Sequence, residues 1–382
     1  MLCDQSPVKR STIKVLKSGE RVILSPQVTV QRYLLVFYWA INVGAFFGLA
    51  TSYAAYNVGF WLAFLTPGIF YMLMPLVLWV CYKRLVRFAP QGSVVLEAFK
   101  ACRSLFKDGN SANLFKRGNA FWENARPSAI ASRGGDLSGV TWDDKFIDDL
   151  QRTMAACKVF LLIPIFNLAN SGLGNSVNAM SSAMTLGGVP NDLIQNWNAL
   201  TIVCCAPLIN YGLYPAFSKM GYPISPMWRM TIGFTLGGLN MIYGGVLQTR
   251  VFLAASMQPV TECALGVSPI SLWLQVPLFS LPALGEIFVN VTSYELAYTR
   301  APPRMKGLVY AFCLFTTAIS SAIGLACSAA VTDPYLVEPY WVLAALSLAC
   351  GLDKEVNFFD PSLTSIKQDK AEVDVEETRE KR

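Results

Sequence analysis

The chain has 382 residues, of which 53% are hydrophobic and only 15% charged, and its mean hydropathy is +0.41. Soluble domains carry about 25% charged residues, so this balance excludes water-soluble, disordered and collagen-like chains. Histidine is absent, which removes His-based triads, His-liganded zinc and His proton shuttles, and the net charge of +6 is arranged by side rather than gathered into a nucleic-acid-binding face.

In chain order, residues 1–32 read as a basic cytoplasmic segment. They contain no apolar core of signal-peptide length, so membrane insertion falls to internal spans. A bilayer core needs about 20 apolar residues per helix. Runs of that length without charge are Tyr33 to Tyr53, Gly59 to Tyr82, Val159 to Met180, Trp197 to Ser218, Met230 to Leu247, Pro269 to Thr292 and Gly307 to Ala330. Leu336 to Leu352 is a shorter eighth. Long runs with little alternation argue against a barrel, so the fold class is an all-α integral membrane protein of about eight helices. Lys and Arg alternate between successive loops as retention on the cytoplasmic side requires: all but Arg250 fall on one face. Both termini and the long central segment are therefore expected to be cytoplasmic.

Residues 83–158 are too charged for lipid and read as a cytoplasmic linker between an incomplete first bundle, 33–82, and a six-helix bundle, 159–352. Within the linker, Ser93 to Phe106 has helical apolar spacing beside Lys100, Arg103 and Lys107. That suits a helix lying on the membrane surface, or a short helix packed on the bundle. Asp143, Asp144, Asp148 and Asp149 read as a helix start rather than a metal site. The tail 353–382, rich in Lys, Glu and Asp, is expected to be disordered. The ten cysteines include no Cys-x-x-Cys pair and read as apolar packers. No phosphate-cradling Gly-rich loop with Lys supports ATP-driven pumping, and no cofactor or metal is expected.

Ionisable groups within a span imply function. Glu286 is the only carboxylate well inside the eight, following Gly285, which permits close helix approach. It can hold a proton, or stay ionised against an ammonium group. Glu295, nine residues on, reads as an interfacial residue pairing with Arg300 or Arg304. In the third span Asn167, Ser171, Gly174 and Asn178 recur on one helical arc flanked by Asn170 and Asn175, a stripe suited to a wet cavity or to interhelical hydrogen bonds. Gly172 and Gly174 suggest a helix that bends or parts. In the first span Tyr38 and Asn42 share a face, with Gly44 and Gly48 forming a small-residue contact surface.

At Phe37-Tyr38-Trp39-Ala40-Ile41-Asn42-Val43-Gly44-Ala45 the sequence resembles the signature of the proton-coupled oligopeptide transporter (peptide transporter 2) family, fungal branch, within the major facilitator superfamily. Further matches are Gly19-Glu20-Arg21-Val22-Ile23, Thr29-Val30-Gln31-Arg32, Gly59-Phe60-Trp61-Leu62-Ala63, Val189-Pro190-Asn191-Asp192-Leu193-Ile194-Gln195-Asn196, Gly285-Glu286-Ile287-Phe288, Glu295-Leu296-Ala297-Tyr298-Thr299-Arg300-Ala301-Pro302 and Met305-Lys306-Gly307. The resemblance implies a major-facilitator-like bundle in which these spans correspond to helices five to twelve, helices one to four being absent from this chain. It implies proton-coupled transport of di- and tripeptides by alternating access, with no enzymatic step, in the plasma membrane. Glu286 matches the tenth-helix Glu that receives the peptide amino terminus, and Tyr38 and Asn42 lie beside the cavity. The substrate-binding residues expected are thus Glu286, Tyr38, Asn42, Asn167, Asn170, Ser171 and Asn178, with Glu286 also coupling protons; the partners are the lipid bilayer, a small peptide and protons, with no nucleic acid. Where the family carries a Trp and a Tyr-Asn-Gln run in its seventh helix, this chain has Asn167 and Asn170-Ser171-Gly172. A carrier of a peptide-like metabolite, or a truncated non-transporting homologue, are the alternative readings.

Overall fold

Backbone N–H and C=O groups find no water inside a bilayer, so apolar runs of this length close their hydrogen bonds within themselves. The computed structural model describes residues 3–6, 8, 11–15, 19, 21–86, 94–107, 122–132, 134, 140–173, 176–185, 187, 194–222, 224–256, 268–302, 304–328, 331 and 335–352. Among them, seven helical runs are long and apolar enough to cross a membrane: Pro26–Asn57, Phe60–Arg84, Asp144–Ser171, Asn196–Lys219, Pro226–Ala254, Leu272–Arg300 and Lys306–Ser328. Glu338–Leu352 is a shorter apolar helix. These match the eight expected spans in order, with several ends displaced.

The α-helices are α1 (Pro26–Phe46), α2 (Gly48–Asn57), α3 (Phe60–Met72), α4 (Met74–Cys81), α5 (Val94–Lys107), α6 (Pro127–Ser132), α7 (Asp144–Cys157), α8 (Ile163–Ser171), α9 (Ser176–Ser182), α10 (Asn196–Leu208), α11 (Tyr214–Lys219), α12 (Pro226–Ser256), α13 (Val276–Arg300), α14 (Lys306–Ser328) and α15 (Glu338–Leu352). Ahead of α1, β1 (Thr12–Val15) pairs antiparallel with β2 (Arg21–Leu24), Thr12 opposite Leu24. This hairpin falls in the segment read only as a basic tail. Pro26 occupies the first turn of α1, where its missing N–H has no helical partner to lose. The helix therefore starts seven residues before the apolar run does and carries Arg32 with it.

The third span departs most from a continuous helix. α8 stops at Ser171, and Gly172 takes φ 74°, a left-handed conformation that favours glycine. A side chain there would also collide with the Ser176 hydroxyl. α9 then restarts at Ser176.

The chain divides into two compact units. The first comprises residues 1–86, 162–295 and 317–382. Its apolar core gathers Leu168, Met180, Met241, Leu278, Tyr340 and Leu343, among others, from α8, α9, α12, α13 and α15. Phe166 and Phe234 meet edge-on with centroids 5.6 Å apart.

The second unit comprises 87–161 and 296–316. Ala98 and Ala101 of α5 pack with Trp122, Trp142, Phe146 and Met305, while Val95, Leu96 and Phe99 remain exposed. Asp143 caps α7, accepting from Phe146 N at 3.1 Å, and also accepts from Arg304 at 3.3 Å. Asp148 accepts from Arg126 at 2.6 Å, and Asp144 from the Ser128 backbone N–H at 3.2 Å. Asp143, Asp144 and Asp148 are thus engaged in a helix start, a backbone hydrogen bond and ion pairs. Tail residues 353–382 and Cys263 lie outside the described residues.

Candidate functional site

Glu286 lies in the interior of α13, one turn after Pro282. Proline cannot donate to the carbonyl four residues earlier, which loosens the helix just ahead of the carboxylate. Gly285 lets this stretch approach its neighbours closely. A Cβ there would lie 3.2 Å from the Gly233 carbonyl oxygen of α12 and 3.2 Å from the Phe166 ring of α8. The close packing brings the side chain of residue 286 against α1, α8 and α10.

Three neutral donors from these three helices converge on the carboxylate. The Tyr38 hydroxyl of α1 donates to Oε2 at 2.5 Å. The amides of Asn170, in the last turn of α8, and Asn198, in the first turn of α10, both donate to Oε1, the latter at 3.2 Å. Hydrogen bonds to a charged acceptor contribute roughly 1.5–3 kcal/mol each. The set therefore holds the carboxylate in place with no cationic side chain among its described partners. The Asn290 amide of α13 donates in turn to the Tyr38 oxygen at 3.3 Å. Asn42 donates from Nδ2 to the Tyr38 carbonyl at 2.9 Å.

Glu286 opens onto a cavity of about 490 Å³, within the range usual for small-molecule sites. Asn42, Thr51 and Ser52 line it from α1 and α2, Asn170 and Ser171 from α8, and Gln195, Asn196 and Asn198 from the start of the fourth span. Glu286 is the one ionisable side chain among the described lining residues. The arrangement offers a single negative charge amid amides and hydroxyls, and so complements a cation whose remainder forms hydrogen bonds.

Of the residues expected here, Glu286, Tyr38 and Asn170 are joined directly, and Asn42 and Ser171 line the same cavity. Asn167 stands apart. It does not line the cavity, and its buried Nδ2 has no hydrogen-bond partner among the described residues. The reason is the rotation of α8 about its axis, which turns Asn170 rather than Asn167 toward the carboxylate; the break at Gly172 ends the arc only beyond Ser171. It is Asn170, expected to flank the stripe, that reaches the carboxylate. The side chain of Asn178, with Gly174 and Asn175, lies outside the described residues.

Asn198 and Asn290 were missed. Asn290 follows Glu286 by four residues, the same spacing that linked Tyr38 with Asn42, while Asn198 lies just inside the expected fourth span. Gly48 makes a close contact, a Cβ there lying 2.9 Å from Asn196 Oδ1, but Gly44 meets nothing within 4 Å, so the expected pair does not act as one surface.

Glu295 also needs correction. It pairs with Arg229 at 2.7 Å, and with side-chain exposures of 7% and 5% both are buried. α13 runs on to Arg300 and α12 begins at Pro226, so both residues sit within helices rather than at their flanks. Glu286 is thus not alone as a carboxylate inside a helical span. The Arg229 guanidinium also lies 5.4 Å from the centroid of the Tyr214 ring.

Residues 24–343 match the sequence pattern of the POT family. The chain belongs to this family. Over 357 residues it is 42% identical to the peptide transporter PTR2 of Candida albicans, a match covering 91% of this chain and 56% of that protein. Over 349 residues it is 39% identical to the MFS-type transporter ucsM of an Acremonium species, covering 91% of this chain and 57% of that one. Among solved structures, that of the POT family transporter PepTSo superposes with a TM-score of 0.62 at 19% identity, covering 88% of this chain and 72% of that one. The chain thus spans little more than half the length of these fungal relatives. Like other POT proteins it is a multi-pass membrane protein of major-facilitator type.

Proposed function

We propose that this POT protein serves proton-coupled transport of small peptides by alternating access, with Glu286 as ligand for the peptide ammonium group. Tyr38, Asn42, Asn170, Ser171 and Asn198 complete the site. The observation that carries the reading is a half-buried carboxylate held by three neutral donors and opening onto an amide-lined cavity. An ammonium group carries a full charge and competes with those donors for the same oxygens. A proton reaching Glu286 cancels the attraction, so protonation at this atom discharges the ligand and couples proton movement to release. The fungal relatives that are peptide transporters support the substrate class. We further assign both termini and residues 83–158 to the cytoplasm, from the loop charges, and the protein to the plasma membrane.

A second reading, carriage of a peptide-like metabolite, is favoured by one feature: the cavity offers no cationic side chain among its described lining residues to pair with a peptide carboxylate.

The test is uptake of labelled dialanine by cells that lack peptide carriers of their own and express the chain. Uptake is expected with the native sequence and is lost in Glu286→Gln, with membrane insertion unchanged. Equal uptake by the variant rejects the role of Glu286.

A further inference from the structure

Glu286, Asn290 and Tyr294 follow at four-residue intervals along α13 and share one face. Asn290 is not among the residues lining the cavity; its amide donates to the Tyr38 hydroxyl oxygen at 3.3 Å. A phenol has one proton and two lone pairs. With Asn290 on a lone pair, the single proton is directed to Glu286 Oε2, 2.5 Å away. An acceptor in place of the Asn290 donor would compete with Glu286 for that proton.

The geometry points to Asn290 as a positioning residue: by donating to Tyr38 it commits the phenol proton to Glu286, and so sets the pH below which Glu286 ceases to accept an ammonium ligand. This rests on the reading of Glu286 as ammonium ligand. The other titratable groups nearby are few. Tyr38 faces Glu286 from α1, and Tyr294 lies one turn beyond Asn290 on α13. α8 and α10 present the amides of Asn170 and Asn198, and the described cavity lining adds no further ionisable side chain. Of the three donors on the carboxylate, only Tyr38 has a proton that a neighbour can redirect.

Replacing Asn290 by Asp turns the donor into an acceptor. The phenol proton is drawn away from Glu286, and a second negative charge stands one turn along the same helix. Both effects oppose a negative charge at Glu286, so ligand binding is lost at a higher pH than in the native protein. Asn290→Leu removes the donor without adding a competitor, and its shift is smaller.

The test is equilibrium binding of dialanine to the purified full chain in detergent, as a function of pH, for the native protein, Glu286→Gln, Asn290→Asp and Asn290→Leu. A low-pH loss of binding in the native protein, with Glu286→Gln binding weakly at every pH, supports the underlying reading, and a Glu286→Gln curve that superimposes on the native one overturns that reading first. Given that limb, an upward shift in Asn290→Asp exceeding that in Asn290→Leu supports the inference. An Asn290→Asp midpoint superimposable on the native one overturns it, and so does weaker binding at every pH with the midpoint unmoved. If Asn290→Asp does not fold, Tyr38→Phe takes its place: removal of the donated proton raises the midpoint, and an unmoved midpoint overturns the inference.

Discussion

The Arg229–Glu295 pair gives the sharpest stability prediction. Its charged atoms are 2.7 Å apart, and the two side chains are 5% and 7% exposed. At an effective dielectric of about 20, unit charges at that separation attract by roughly 6 kcal/mol before desolvation is counted. Removing both ions from water offsets much of this, so the pair as a whole contributes little net stability. Removing one partner is different. Arg229→Met takes the guanidinium away from a buried carboxylate and from the Tyr214 ring, whose centroid lies 5.4 Å from it. The expected loss is about 3–5 kcal/mol. The double variant Arg229→Met with Glu295→Leu leaves no charge and is expected to return to within about 1–2 kcal/mol of the native protein. Reversible unfolding of the purified chain in mixed micelles, titrated with a denaturing detergent, measures all three. A single variant within about 1 kcal/mol of native, or a double variant as unstable as the single, refutes the claim that this pair is held away from water.

Two further predictions concern the site. N-acetylation of dialanine removes the ammonium and is expected to weaken binding at least about 100-fold, whereas amidation of its carboxyl end changes binding by less than about threefold, since Glu286 is the sole ionisable group among the described lining residues; competition binding with both derivatives compares them directly. Gly172→Ala forces a side chain into φ 74° and against the Ser176 hydroxyl, and is expected to destabilise the chain by about 1–3 kcal/mol in the same micelle titration.

The spans were legible because run length and charge are properties of contiguous sequence. Tyr33 to Tyr53 and Gly307 to Ala330 lie within or nearly within Pro26–Asn57 and Lys306–Ser328. Their ends were less so. Apolar content stops at the first charge, whereas a helix stops where its hydrogen bonds do. Pro26 opens α1 ahead of Arg32, and α13 continues past Thr292 to Arg300. Arg229 and Glu295 were read as flanking residues for this reason, and only the packing of α12 against α13 makes them partners.

The site divides along the same line. Glu286 declared itself, because a carboxylate in an apolar run is costly wherever it points. Tyr38 and Asn42 could be placed on one face because both belong to α1. What no single-helix rule supplies is the rotation of one helix about its axis relative to another. The donors on Glu286 come from α1, α8 and α10, and that rotation decides whether Asn167 or Asn170 turns toward it. The break at Gly172 widens the gap further, since periodicity beyond residue 171 refers to a helix that has already ended. Asn290 is the instructive exception. Its four-residue spacing from Glu286 was readable, yet its role depends on the Tyr38 hydroxyl standing between them. A polar residue one turn from a half-buried carboxylate therefore acts through whatever neighbouring helix fills the gap, and the sequence alone does not say which helix that is.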